Sequence, residues 1–422
     1  MTVRRTSPNL ALLVIASIAT MGFIDRIVVN VLVEPLKTEF ALTDAQVSLM
    51  GIAFAALNIT VGFVSARYAE RVRRVTLIAF GTIFWSVATA LCGAAGSWVQ
   101  LLVARMGVGL GEAIGIPSNQ SVVADYFPAN RRGFAISCLL LSPPLGAFIG
   151  FVVGGWIAQE FDWRMTFFIA AIPGLALGVI AYLFVEEPPR GAHDVECGAD
   201  DVPPFSAVLR RLFGLPSARN LMFGLALGSM AGFGINYFFT SLLIRRFGIG
   251  LAEAGLYGGV IASLPAALSV VGAGWLGDRL GERRPAAYAL IPAAMLAIGG
   301  PLYALAVTRD ALWPLLTLVG VATFFTFGFL GITNATLQNL MHPRMRATAS
   351  ATFNLTYGIA GGIGPLLLGL LSDRFAVQAG EARGLALAMA AFTAIYLWAA
   401  LHYLNAARHL ARDMRGLRRP QP

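Results

Sequence analysis

Gly274-Trp275-Leu276-Gly277-Asp278-Arg279-Leu280-Gly281-Glu282-Arg283-Arg284 closes one long apolar segment of this chain. Gly62-Phe63-Val64-Ser65-Ala66-Arg67-Tyr68-Ala69-Glu70-Arg71, followed by Arg73 and Arg74, closes another. Each is a basic, glycine-bearing loop after the second apolar segment of a set of six. Charge alone would describe two unrelated loops. The shared order of Gly, Arg, Glu, Arg and Arg at equivalent places indicates internal duplication instead. That duplication decides the fold, because it makes the chain two related halves.

Twelve apolar segments surround these loops. The first six run roughly 10–33, 46–66, 76–96, 99–125, 133–157 and 165–185, and the second six roughly 219–243, 253–276, 286–307, 312–339, 347–370 and 383–405. Stretches of about 20 apolar residues are membrane-spanning helices, whereas a closed barrel would show short alternating segments. Composition agrees: 57% of residues are hydrophobic and 13% charged, with mean hydropathy +0.72, against about 25% charged in soluble domains. The expected fold is all-α and integral to the membrane, with twelve transmembrane helices in two pseudo-symmetric six-helix bundles. Residues 1–185 form the first bundle, 186–218 a cytoplasmic linker, and 219–422 the second bundle and a cytoplasmic tail. Phe205 to Phe213 has apolar residues at helical spacing beside Arg210 and Arg211, the pattern of a short interfacial helix.

The net charge of +9 would suit nucleic acid if it were clustered. It is distributed by side instead. Of the 31 Lys and Arg residues, Lys37, Arg164, Arg245, Arg246, Arg309, Arg374 and Arg383 fall in outer loops, and Arg26 and Arg105 fall within helices. All the others fall on the inner side. This positive-inside asymmetry places both termini in the cytoplasm of a multi-pass protein of the cell's inner (plasma) membrane, with no nucleic-acid partner. Arg4 and Arg5 before an apolar run resemble a signal peptide, but the run continues past any small-residue site to about Val33, long enough to span. Cys92 and Cys138 fall in helices and Cys197 in the linker, so no disulfide is expected. The four histidines lack metal-ligand spacing, and no cofactor is implied.

The Gly274–Arg284 loop resembles the signature between helices two and three of the major facilitator superfamily, which recurs between helices eight and nine. The resemblance implies two bundles rocking about a central site, with the loop's acid and arginines latching the cytoplasmic face. Asp278, Arg279 and Arg283 match that role, as does Arg67. Ala66 stands where the first copy's acid belongs, so the N-terminal latch departs from the pattern. A narrower resemblance, over most of the N-terminal half, is to the spinster-like branch. It is carried by Asp25-Arg26 in helix one and Arg105-Met-Gly107-Val-Gly109-Leu-Gly111-Glu112 in helix four. Ala124-Asp125-Tyr-Phe, Arg131-Arg132 and a Pro/Gly-rich helix five add to it. It implies transport of lysophospholipids or sphingoid lipids.

A charge in hydrocarbon costs at least about 2.5–3.5 kcal/mol on insertion scales, so it persists where it pairs, lines a wet cavity or moves something. Arg105 and Glu112, seven residues apart, lie on one helix face about 10.5 Å apart along the axis. The helical rise puts Arg105 roughly 9 Å, Asp25 roughly 12 Å and Glu112 roughly 20 Å from the outer face. Asp25 and Arg105 can therefore pair, leaving Glu112 near the midplane. Gly107, Gly111 and Gly115 form a smooth stripe for a neighbouring helix. A static buried network is one reading of these charges. In the other, Glu112 and Asp25 exchange protons while Arg26 and Arg105 bind an anionic group through paired donors.

The second half carries Asn236 and Tyr237 in helix seven, Phe327 and Asn334 in helix ten, and Asn354 and Tyr357 in helix eleven, with no acid or base in these helical cores. Aromatic runs often pack or face lipid, so only some of these residues line a cavity. Charges in one half and aromatics with amides in the other suit an amphiphilic anion. Pro143, Pro144, Gly146, Gly150 and Gly154 in helix five, and Gly358 to Pro365 in helix eleven, permit close packing or kinks. The expected function is a monomeric secondary transporter, coupled to protons, for an amphiphilic anion among membrane lipids. The alternatives are a transporter of small organic anions such as sugar acids, and multidrug efflux. An enzyme lacks any visible catalytic constellation, and the loops are too short for a receptor's ligand domain.

Overall fold

The computed structural model describes residues 6–69, 72–190, 205–281, 283–342 and 345–416. The first set of helices is α1 (Pro8–Val31), α2 (Val33–Phe40), α3 (Asp44–Ala69), α4 (Arg74–Gly93), α5 (Trp98–Tyr126), α6 (Ala129–Leu140), α7 (Ser142–Glu160) and α8 (Trp163–Phe184). α9 (Phe205–Gly214) follows. The second set is α10 (Pro216–Phe247), α11 (Leu251–Gly281), α12 (Ala287–Val307), α13 (Leu312–Phe327), α14 (Phe329–Asn339), α15 (Arg346–Ala379), α16 (Glu381–Phe392) and α17 (Ala394–Gly416). Among the described residues, 12 spans are long and apolar enough to cross a membrane.

Local chemistry explains where these helices begin and break. Ser7 and Ser97 cap α1 and α5 by accepting from Leu10 N and Gln100 N. Thr43 and Gln46 exchange side-chain and backbone hydrogen bonds of 2.9 and 3.2 Å, a capping box at the start of α3. The fifth apolar segment is two helices rather than one. Pro143 and Pro144 lack amide donors and crowd the carbonyls one turn back, so the chain breaks between α6 and α7. The tenth breaks at Gly328 and the twelfth at Thr393, neither of which the apolar runs revealed. α15 extends to Ala379 and carries Asp373 and Arg374 within the helix rather than in a loop. At 34 residues it is about 51 Å long, against a hydrocarbon core of about 30 Å, so its ends stand clear.

The chain divides into two units, Met1–Ala199 with Gly248–Gly259, and Asp200–Phe247 with Val260–Pro422. In the first, α1 packs on α7 and α8, and α4 on α5 and α8. In the second, α10 packs on α15 and α17, and α12 on α13 and α17. The same pairing order thus recurs, as duplication predicts. Small residues set the spacing of both. A Cβ on Gly111 would stand 2.7 Å from Trp85 Cβ, and one on Gly81 would stand 2.8 Å from Gly111 O. A Cβ on Gly224 would stand 2.6 Å from the ring of buried Tyr403, whose hydroxyl meets Thr333 Oγ1 at 2.7 Å.

Candidate functional site

α1 and α5 bring four charged side chains together inside the first unit. α1 is held by α7, whose Gly150 and Gly154 would place a Cβ 3.2 Å from Ile27 Cβ and 3.1 Å from Val28 Cγ2. α5 is held on two faces. Gly107, Gly111 and Gly115 meet Ala88, Trp85 and Ile78 of α4, the partner of the expected smooth stripe. Gly109 abuts the backbone of Phe54 on α3, and Asn58 Nδ2 donates to Gly109 O at 3.3 Å.

Within this frame Arg26 Nε donates to Glu112 Oε2 at 2.8 Å, and Arg26 Nη2 contacts the same oxygen. Glu112 is fully buried, while the Arg26 side chain is 33% exposed. Asp25 and Arg105 are each 3% exposed. Helical rise alone pairs their side chains, but Arg105 Nη1 donates instead to the main-chain carbonyl of Asp25 at 3.2 Å. Cα depth decides little for a guanidinium on a three-carbon stem, which is also how Arg26 reaches Glu112. Thr89 and Cys92 of α4 stand beside Asp25 and Arg105. Asp25 Oδ1, Arg105 Nε and Glu112 Oε1 are buried without a protein hydrogen-bond partner. Such atoms in a native interior require an account.

Phe54 is the centre of the cluster. Its ring lies 5.0 Å from the Arg26 guanidinium and 5.5 Å from that of Arg105, and Phe23 adds a second face to Arg26 at 5.2 Å. Cation–π contact of this kind is worth about 0.5–2 kcal/mol or more when desolvated. A second ionic network closes the opposite end of α5. Arg74 binds Asp125 at 2.6 Å, Glu187 at 2.7 Å and Ser121 at 2.7 Å, while Glu187 also accepts from Val75 N at 2.8 Å. This ties the Glu186-Glu187-Pro188 opening of the interhalf stretch to the ends of α4 and α5.

A family profile described as Major Facilitator Superfamily matches residues 14–365. The chain belongs to this superfamily. It is a spinster-like transporter in its likeness, and the family and fold are not those of an enzyme. A solved bacterial homolog of the human lysosomal transporter Spinster, in an inward-facing and unoccupied conformation, superposes with a TM-score of 0.88 at 28% identity over 96% of this chain and 98% of that one. An "MFS-type efflux pump" of Mycolicibacterium smegmatis is 29% identical over 421 residues, 95% of this chain and 93% of that protein. A sphingosine-1-phosphate transporter of Danio rerio is 27% identical over 191 residues, 43% of this chain and 38% of its own length.

In this superfamily member α11 runs through most of the signature, so Asp278 and Arg279 lie in its last turns and only Arg283 follows it; all three are exposed, with the Arg279 guanidinium 5.3 Å from the Trp275 ring. The backbone of Arg67 lies in the last turn of α3, but its side chain, like Glu70, Arg71 and Glu282, lies outside the described residues. The second-half residues disperse over the second unit. Tyr237 is buried edge-on to Phe238 at 5.0 Å, and Asn236 and Phe327 are half-buried. Asn334 accepts from Gln338 at 3.2 Å and Ser350 at 3.4 Å, joining α14 to α15. Phe233, Tyr357 and Phe353 form a ring cluster between α10 and α15. Among the described residues no His, Cys, Asp and Glu group is placed for a metal.

Three further side chains of the first unit bear on the site or its helix and lie outside the sequence-based expectations. Phe54 is one aromatic within an apolar run and gives no local signal. Glu187 read as the polar start of a linker. Asn119 was legible, since it lies seven residues beyond Glu112 as Glu112 lies seven beyond Arg105. It is 3% exposed, and both its amide atoms lack a protein partner.

Proposed function

We propose that this transporter moves an amphiphilic anion, of lysolipid or sphingoid-phosphate character, coupled to protons and by alternating access. The observation that carries the reading is the buried Arg26–Glu112 pair within a cluster of two acids and two arginines. With both acids ionised, the four charges cancel. Each proton taken up by Glu112 or Asp25 leaves one surplus positive charge, which an anion can neutralise. A proton on Glu112 also weakens its hold on Arg26 and frees a planar donor pair for phosphate or carboxylate. Loss of the proton lets Glu112 recapture Arg26 and eject the anion. Arg105 offers a second guanidinium, with Phe54 and Phe23 as apolar walls.

The relative that transports sphingosine-1-phosphate supports the lipid class, and the aromatic and amide side chains Tyr237, Asn236, Phe327 and Asn334 supply surfaces for a tail and its polar linkage. The efflux-pump relative favours a second reading, export of apolar drugs through the same aromatic half. The end of α11 with Asp278 and Arg279, the following Arg283, and their counterpart Arg67 act as the cytoplasmic latch. The protein works as a monomer in the inner membrane, with both termini cytoplasmic.

Uptake of a labelled lysophospholipid into proteoliposomes under an imposed pH gradient tests this. Glu112→Gln is expected to abolish the pH-driven component while leaving substrate exchange. Unchanged pH-driven flux would remove the coupling role, and flux of sugar acids but no lipid would move the substrate to small organic anions.

A further inference from the structure

The second unit holds a polar cluster that transport leaves unused. Where α10 begins against the end of α17, Asp413 Oδ2 accepts from Ser217 N at 3.1 Å and Ser217 Oγ at 2.7 Å, fixing the two helices in register. One turn along, Asn220 Oδ1 meets His402 Nδ1 at 3.0 Å and accepts from Asn405 Nδ2 at 3.2 Å. The Asn220 amide itself donates to Pro216 O at 2.8 Å. These three side chains, with Trp398 and Leu401, line a groove of about 230 Å³. Phe223 lies 5.4 Å and Trp398 6.3 Å from the imidazole. Trp398 and Leu401 are 56% and 63% exposed, so the groove opens on the outer surface of the unit.

Imidazole and amide groups facing lipid tails would be costly, but they are suitably placed where tails give way to headgroups. The surrounding charges mark that level. Arg219 is exposed beside Asn220, and Arg408, Arg412 and Arg415 are exposed on the next turns of α17. Trp398, Asn405 and Arg412 are seven apart, as are Leu401, Arg408 and Arg415. One stripe of α17 therefore grades from apolar through amide and imidazole to guanidinium over about 26 Å. Arg412 retains a 3.4 Å contact with Asp413 at 69% side-chain exposure, leaving most of its donors available.

We propose that this groove binds one anionic phospholipid. Its phosphate lies toward Arg408 and Arg412, its glycerol and ester oxygens meet His402 and Asn405, and its first methylenes cover Trp398, Leu401 and Phe223. The order of groups along the stripe is that of such a lipid, and the charge is complementary. A groove of this size does not enclose a drug-sized solute, whose sites run to about 300–1,000 Å³.

Native mass spectrometry of the full chain, titrated with phosphatidylglycerol and with phosphatidylcholine of the same acyl chains, tests the assignment. The expected result is one preferentially retained phosphatidylglycerol. R408Q/R412Q should cut that preference by roughly thirtyfold, from about 1 kcal/mol per interfacial arginine. N405L should weaken retention of both lipids, and R131Q, an exposed arginine of the other unit, should change nothing. Equal retention of the two lipids by the native chain would overturn the proposal, and so would a preference that survives R408Q/R412Q. Elution of each variant as a monodisperse species keeps loss of fold separate from loss of lipid.

Discussion

Removing Arg26 while leaving Glu112 tests the central ion pair most directly. Glu112 is fully buried and takes its only direct hydrogen bonds among the described residues from Arg26. Arg26→Met strands a carboxylate in the bundle interior, and breaking a buried pair from one side costs about 3–5 kcal/mol. Glu112→Gln is milder. Its amide oxygen still accepts from Arg26, which is one-third exposed and can turn toward polar surroundings, so the loss is about 1–2 kcal/mol. Arg26→Met with Glu112→Leu removes both charges and refills the space with apolar volume, which is often neutral for buried pairs. For a unit of some 200 residues, where 1 kcal/mol moves Tm by about 2–4 °C, Arg26→Met should lower Tm by about 6–20 °C. The double variant should lie within about 3 °C of the native protein. The assay is the temperature at which half the detergent-solubilised chain remains monodisperse. All three variants should also lose proton-driven transport. A double variant as unstable as Arg26→Met would refute the reasoning, because the cost would then lie in the packing of Arg26 and not in the charge left behind.

Phe54→Leu removes two cation–π contacts worth about 0.5–2 kcal/mol each, so Tm should fall by several degrees and KM for an anionic substrate should change severalfold in a flux assay. Gly111→Ala sets a Cβ 2.7 Å from Trp85 Cβ and the Trp85 backbone, overpacking worth about 1–3 kcal/mol. Gly62→Ala meets nothing within 4 Å and should match the native melting curve. Arg74→Gln leaves Asp125 and Glu187 facing each other without a guanidinium. It should lower Tm, and adding Asp125→Asn and Glu187→Gln should restore most of the loss.

Segment count, duplication and the four charged residues of α1 and α5 were legible because each leaves a one-dimensional mark, whether apolar run length, a repeated loop or a charge in hydrocarbon. The breaks at Gly328 and Thr393 were not, because a helix can change axis without any change in hydropathy. Which acid met which base was also illegible. Rise per residue gives the depth of a Cα, whereas an arginine and a glutamate reaching toward each other together span the depth differences being compared. Arg26 therefore took the partner left open for Glu112, and Arg105 took a carbonyl. Phe54 needed the third dimension altogether. It is set by the contact of Gly109 with its backbone, and glycine in a helix announces only that something comes close.

Asp25 and Arg26 are consecutive on α1, so their side chains leave the helix about 100° apart, yet each residue answers a different charge on α5. The glycines of α7 leave α1 a close bearing over Phe23, Ile27 and Val28, pinned at one end where Ser142 Oγ donates to Ala16 O at 3.2 Å. A roll of α1 on that bearing would shift the hold of Glu112 and the carbonyl under Arg105 in a single stroke. The two contacts then work as one escapement, in which neither arginine is released without disturbing the other.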